Sequence, residues 1–173
     1  VAEGLIAPGI EHCVPAVPQW RLSSLPRYLD APDLEKVVTS CDTTTAQGLR
    51  DHAILLLLAR LGLRAGDVQT MKLDDIDRNR GTLRVFGKSR REDLLPLPQD
   101  VGDALLAYLE HGRHDAKTDK VFLTMNAPIR AFMNSASVSS IVCSALYRTD
   151  IKDPPSRGAH LLRAACHQRE NRR

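Results

Sequence analysis

Ala53-Ile54-Leu55-Leu56-Leu57-Leu58-Ala59 is the stretch that most constrains this chain, an unbroken apolar run inside a helical segment expected over 49–61. A helix with one apolar stripe can lie on a surface, whereas a helix apolar on every side must have protein on every side. This segment is therefore expected to be the central rod of a core. The run has seven residues, far short of the roughly 20 that a membrane span needs, so no membrane partner is expected. With 173 residues there is room for one domain, able to bury roughly two-thirds of its unfolded surface. The 43% hydrophobic and 26% charged residues are an ordinary globular mix, which excludes disordered, collagen-like and disulfide-scaffold classes.

Other elements follow from periodicity and breakers. Leu34, Val37 and Val38 mark a short helix over 33–41, and Gly62 stops the apolar helix. A second short helix is expected over 65–72, with Asp67 in its favourable first turn. From Ile76 the texture changes. Asp77-Arg78-Asn79-Arg80-Gly81 reads as a turn, Thr82 to Phe86 as a strand, Gly87 to Arg91 as a second turn and Leu94 to Leu97 as a further strand. Helices return over 100–110 and 138–146, and after Pro154-Pro155 a last one is expected from Leu161 to about Arg169. The expected fold class is α+β, mostly α-helical with a small three-stranded antiparallel sheet.

Residues 1–30 carry Pro8, Pro15, Pro18 and Pro26, spacing that suits an extended interdomain linker. Cys13, Cys41, Cys143 and Cys166 stand far apart with no C-x-x-C pair, so no zinc framework is read. His111 with His114, and Cys166 beside His167, have no second half at ligand spacing. Asp74, Asp75 and Asp77 are not read as the metal site of a nuclease, because Asp75 and Asp77 read as a solvated strand entry. Glu3 and the lack of a basic segment before an apolar stretch leave no secretory signal to read, and a cytoplasmic, DNA-associated location is expected. The net charge is only +3, but residues 78–91 hold Arg78, Arg80, Arg84, Lys88, Arg90 and Arg91 without one acid. Five more arginines lie between Arg157 and Arg173 against the single Glu170. Such runs form either a solvated basic surface or a phosphate-binding footprint.

Four basic side chains sit where the chain changes direction. Arg64 follows the buried helix in Gly62-Leu63-Arg64-Ala65-Gly66-Asp67, Lys88 lies in the hairpin turn, and His160 and Arg163 are three apart in His160-Leu161-Leu162-Arg163. In this order they resemble the boxes of the tyrosine recombinase (phage integrase) family: first arginine, hairpin lysine and H-x-x-R. The stretch from Trp20 to Tyr28 is similar to the linker arriving from that family's core-binding domain. The resemblance covers about 20–163 and implies a partial recombinase catalytic domain over 31–163.

It also implies a chemistry. Two guanidinium forks, Arg64 and Arg163, would stabilise charge on the non-bridging oxygens of a phosphodiester under attack, in a bidentate way and with no metal ion or cofactor. Lys88 would protonate the leaving 5′-oxygen, His160 would act near the nucleophile, and Asp67 would orient the first arginine. In the family a tyrosine attacks phosphorus and forms a 3′-phosphotyrosine. The partners implied are double-stranded DNA and other recombinase protomers.

The pattern departs from the family after Arg163. Tyr28, Tyr108 and Tyr147 all precede the H-x-x-R box, and Ala164 stands where a histidine is common. Residues 164–173 read as an aberrant basic tail that follows a frameshift. The expectation is a recombinase fold incomplete at its carboxyl end and inactive by itself. Two readings stand beside it: a non-catalytic DNA-binding module that competes at recombination sites, and a pseudogene product without function.

Overall fold

The structure, a computed structural model, describes residues 29–86, 92–149 and 151. Helix α1 (Ala31–Thr39) starts where the Asp30 carboxylate accepts the Asp33 N–H at 3.0 Å, and buries Leu34, Val37 and Val38. Leu29, just before it, is already in the core.

Helix α2 (Ala46–Leu61) is the rod expected from the sequence. Every residue from Ala53 to Ala59 is 3% exposed or less. It begins earlier than the apolar run because the Thr45 hydroxyl caps it, accepting the Gly48 N–H at 3.0 Å. It ends at Gly62, whose φ of 61° is a left-handed conformation that glycine adopts without steric cost. Arg60, near this end, ties three helices together. It donates to Glu35 on α1 and to Asp100 at the start of a later helix, each at 2.8 Å.

Helix α3 (Ala65–Thr70) follows at once. A 3₁₀ turn, Leu73–Asp75, leads into strand β1 (Ile76–Asp77), which pairs antiparallel with β2 (Thr82–Phe86), itself paired with β3 (Glu92–Pro96). The register puts Leu83 against Leu95, Arg84 against Leu94 and Phe86 against Glu92. Leu83 is fully buried while Arg84 and Phe86 alternate outward. The strand expected over 82–86 thus stands as read, and the meander has the expected three strands.

Helix α4 (Gln99–Ala107) continues into a π-helical turn, Tyr108–Gly112, where the expected helix over 100–110 was simply α. The fully buried Tyr108 ring stacks on Phe122, with centroids 5.5 Å apart, and its hydroxyl accepts the Leu123 N–H. Helix α5 (Ala136–Arg148) packs Val138, Ile141, Val142, Ala145 and Leu146 onto the core. Among the described residues no helix is long and apolar enough to cross a membrane. Most of the expected linker, the hairpin turn over 87–91, the helix expected from Leu161 and the basic tail lie outside the described residues.

Candidate active site

Arg64 stands two residues beyond the left-handed cap of α2 and is itself the N-cap of α3, with extended backbone (φ −79°, ψ 152°). Leu63, between cap and arginine, is 4% exposed and pins the turn to the core. The Asp67 carboxylate accepts the Arg64 backbone N–H at 3.1 Å, and the same oxygen lies 3.8 Å from Arg64 Nη1. Asp67 therefore holds Arg64 mainly through the backbone. Among the described residues the guanidinium has this one long ionic contact, and the side chain is 39% exposed. A fork so loosely held can turn both of its N–H edges to an anion.

A cleft runs from α3 to the sheet. Asp67 and Thr70 line its α3 side, Arg84, Val85 and Phe86 its sheet side, and Lys72, Asp75 and Lys120 its floor and rim. Phe86 is the last described residue before the 87–91 connection, whose two ends are held as the Phe86–Glu92 pair. The cleft thus joins the Arg64 helix to the strand end from which Lys88 departs. Lys88, His160 and Arg163 lie outside the described residues, so of the four expected site residues the structure places Arg64.

Asp75 differs from the expectation of a solvated strand entry. Asp75 is 9% exposed, and its carboxylate accepts the Lys72 N–H at 2.8 Å, closing the 3₁₀ turn. Asp77 accepts from the Asn79 and Arg80 N–H groups, both at 3.0 Å, and shapes the β1–β2 turn. Both carboxylates serve the backbone. Among the described residues no group of three or more His, Cys, Asp or Glu side chains could hold a metal ion.

Two lysines that the sequence reading did not single out also face this cleft. Lys72 and Lys120 are partners in an isolated antiparallel bridge, flanked by hydrogen bonds from Leu73 N–H to Asp119 O and from Val121 N–H to Met71 O. Lys72 Nζ reaches Asp119 at 2.8 Å, which lifts its pKa above the usual lysine value. Lys120 Nζ donates to the Thr70 carbonyl. They are 48 positions apart in the chain, and no local pattern announces the pairing.

At the other end of α2 lies a separate groove, lined in part by Arg50, Asp51, Arg130, Phe132, Ser144 and Arg148. The Arg50–Asp51 pair at its base is buried, with side chains 8% and 6% exposed. Burial raises the Asp51 carboxyl above its usual value although Arg50 pulls it down.

Comparison with known proteins completes the picture. The sequence profile of the phage integrase family matches residues 27–171. A protein named "Putative integrase/recombinase y4rA" from Sinorhizobium fredii is 44% identical over 160 residues, which are 92% of this chain and 39% of y4rA. The crystal structure of XerA recombinase superposes with a TM-score of 0.72 at 20% identity, covering 90% of this chain and 53% of XerA. The XerH site-specific recombinase, bound to a palindromic difH substrate in a post-cleavage complex, superposes with a TM-score of 0.67 at 21% identity, covering 83% of this chain and 41% of XerH. The two structural likenesses show the fold. The chain spans about two-fifths of the length of y4rA.

Proposed function

Because this chain belongs to the phage integrase family, we propose that it supplies the phosphate-gripping part of a site-specific tyrosine recombinase, working on double-stranded DNA together with other recombinase protomers. The observation that carries the reading is the mounting of Arg64. It is a partly exposed guanidinium just past the end of the most buried helix, at the start of the short helix whose Asp67 and Thr70 line a cleft that reaches the hairpin strand. Within this reading residues 31–163 are the catalytic domain, 1–30 the linker and 164–173 a tail outside it.

Arg64 and Arg163 hold the non-bridging oxygens of the scissile phosphate and take up the charge that grows in the transition state. Lys88 protonates the departing 5′-oxygen, and His160 works beside the nucleophile. Asp67 holds the Arg64 backbone. The nucleophile is not one of the tyrosines of this sequence. Tyr108 is fully buried against Phe122, and Tyr28 and Tyr147 match no nucleophile position. A tyrosine from residues other than these 173 attacks phosphorus, forms the phosphotyrosine bond as the 5′-oxygen leaves, and is later released by a 5′-hydroxyl.

Covalent capture on nicked duplex DNA tests this. The 173-residue chain alone forms no protein–DNA adduct, whereas the chain joined after Arg163 to a tyrosine-bearing carboxyl-terminal segment of the family, with a DNA-clamping domain upstream, forms a 3′-linked adduct without added metal. An adduct formed by the 173 residues alone would refute the assignment of the nucleophile. No adduct from the joined protein would refute the catalytic reading as a whole.

A further inference from the structure

Lys72 and Lys120 form the kind of cross-strand pair that ordinarily weakens a protein. The flanking hydrogen bonds, Leu73 N–H to Asp119 O and Val121 N–H to Met71 O, define a non-hydrogen-bonded antiparallel pair. This is the geometry in which opposed side chains stand closest and on the same face. Like charges placed opposite each other in this way are destabilising. The chain nevertheless sets these two lysines opposite each other at a cleft whose sheet side adds the Arg84 guanidinium.

The lining of the cleft sets three cations, Lys72, Arg84 and Lys120, against two carboxylates, so it keeps a net positive charge although Asp75 adds to the pull on Lys72. Asp67 accepts from the Arg64 N–H and Asp75 from the Lys72 N–H, which aims both toward the backbone. The direct ion-pair partners of the cations are surface groups: Asp119 for Lys72, with both side chains about half exposed, and Glu92 for Arg84 at 3.4 Å. Exposed pairs of this kind contribute little to stability, so an incoming anion can take their place. They hold the cations ready without blocking them.

We propose that this cleft seats an internucleotide phosphate of the DNA backbone, one beside the phosphate held by Arg64. Lys72 and Lys120 grip it from one side and Arg84 from the other. The inference rests on the DNA-recombinase reading and goes beyond it, because it assigns a second phosphate to residues with no part in the bond-breaking step. The contact is to phosphate and carries no base preference.

The test is a fluorescence-polarisation titration of the full 173-residue chain against duplex DNA over a range of salt concentrations. The variants are Lys72→Met, Lys120→Met and the double variant, in which methionine keeps an apolar stem over the surface. Because one phosphate is neutralised, the double variant should flatten the log–log salt slope by up to about 0.9 in total, each single variant by part of this, and all should weaken binding to unrelated sequences alike. Lys36→Met on α1, whose ammonium is engaged with Asp33, should change neither. Asp119→Asn serves as a second probe of opposite sign: it frees Lys72 and should tighten binding. A thermal melt accompanies each variant, and relief of like-charge repulsion should leave the double variant at least as stable as the parent. If the parent binds with a steep salt slope and the double variant matches it, the cleft is not a phosphate seat and the DNA reading survives. A parent with a flat slope would end both. Competition by inorganic phosphate beyond that of chloride at equal ionic strength would show a free-anion site instead, and would overturn the backbone assignment.

Discussion

Arg50 folds back on its own sequence neighbour: its Nε and Nη2 both donate to one oxygen of Asp51, at 2.8 and 2.6 Å. Its remaining Nη1 donates to the Leu123 carbonyl at 3.1 Å, and its guanidinium carbon lies 5.5 Å from the centre of the Phe132 ring. One side chain thus links α2 to the two strands of the Leu123–Ala131 bridge. Gln69 on α3 holds the same segment from the opposite direction, donating to the Phe132 carbonyl at 2.9 Å. The helix that starts with Arg64 is braced against the far end of the rod through Phe132.

Removing Arg50 should be costly because it takes from the buried Asp51 its direct ion-pair partner and leaves it the Gln47 side chain and the field of Arg148. Arg50→Ala is expected to lower stability by about 3–5 kcal/mol near neutral pH. Asp51 already ionises above its ordinary value of 3.8 because of burial, with Arg50 opposing the rise. A carboxyl raised in the folded state costs stability as pH climbs from the unfolded value through the folded one, since the unfolded chain releases its proton first. Without Arg50 that gap widens, so the deficit of Arg50→Ala should shrink as pH falls toward about 4. Asp51→Asn in the same background should remove this dependence. Urea unfolding across pH measures both, and a deficit that grows on acidification contradicts the sign.

Gly48 is the second stability test. A Cβ there would stand 1.8 Å from the Asp42 carbonyl oxygen and 3.0 Å from the Thr45 hydroxyl that caps α2. Gly48→Ala must therefore displace backbone, and a loss of about 1–3 kcal/mol is expected from overpacking, despite alanine's better helix propensity. A thermal melt unchanged or raised by the substitution would mean that the 42–45 turn yields freely.

In the joined, tyrosine-bearing protein, Arg64→Ala should slow cleavage by about 10²–10³-fold, the usual loss for one donor to a developing oxyanion. Arg64→Lys should restore little, because an ammonium cannot span two oxygens. Asp67→Asn should cost less than Arg64→Ala, since the amide oxygen can still accept the Arg64 N–H. The rate of adduct formation on nicked duplex DNA reads all three.

Lys88 is tested by leaving-group chemistry. Lys88→Ala should slow cleavage of an ordinary phosphodiester because the 5′-oxygen departs without its proton. A bridging sulfur at that position needs no proton, so the Lys88→Ala defect should largely vanish while the Arg64→Ala defect stays. Equal rescue of both would remove Lys88 from the role of acid.

What could be read in the sequence was local. The apolar run from Ala53 to Ala59, the stop at Gly62, the strand from Thr82 to Phe86 and the face of α5 each follow from neighbours within a turn or two, and the structure has them all. The same holds for Arg64, because its seat is made by the residues on either side. Contacts made across the chain were not legible. Asp75 looks solvated among charged neighbours, yet the fold buries it under the Lys72 amide. Lys72 meets Lys120 only because the stretch around 120 returns to pair with the end of α3, and no periodicity encodes that return. The early start of α2 is illegible for another reason: Ala46-Gln47-Gly48 carries no large apolar side chain, and the Thr45 cap rather than apolar spacing sets the boundary.

The complete burial of α2 from Ala53 to Ala59 leaves it no direction in which to slide, since close-packed interiors deform little. Arg64, mounted just past its end, inherits that immobility. Any accommodation to the bend or twist of a bound duplex must then come from the sheet side of the cleft. The molecule works like a vice with one fixed jaw. Backbone amides along Leu55–Leu58 should accordingly exchange with deuterium only through global unfolding, bound or free, while DNA-induced protection gathers on the sheet side of the opposing jaw.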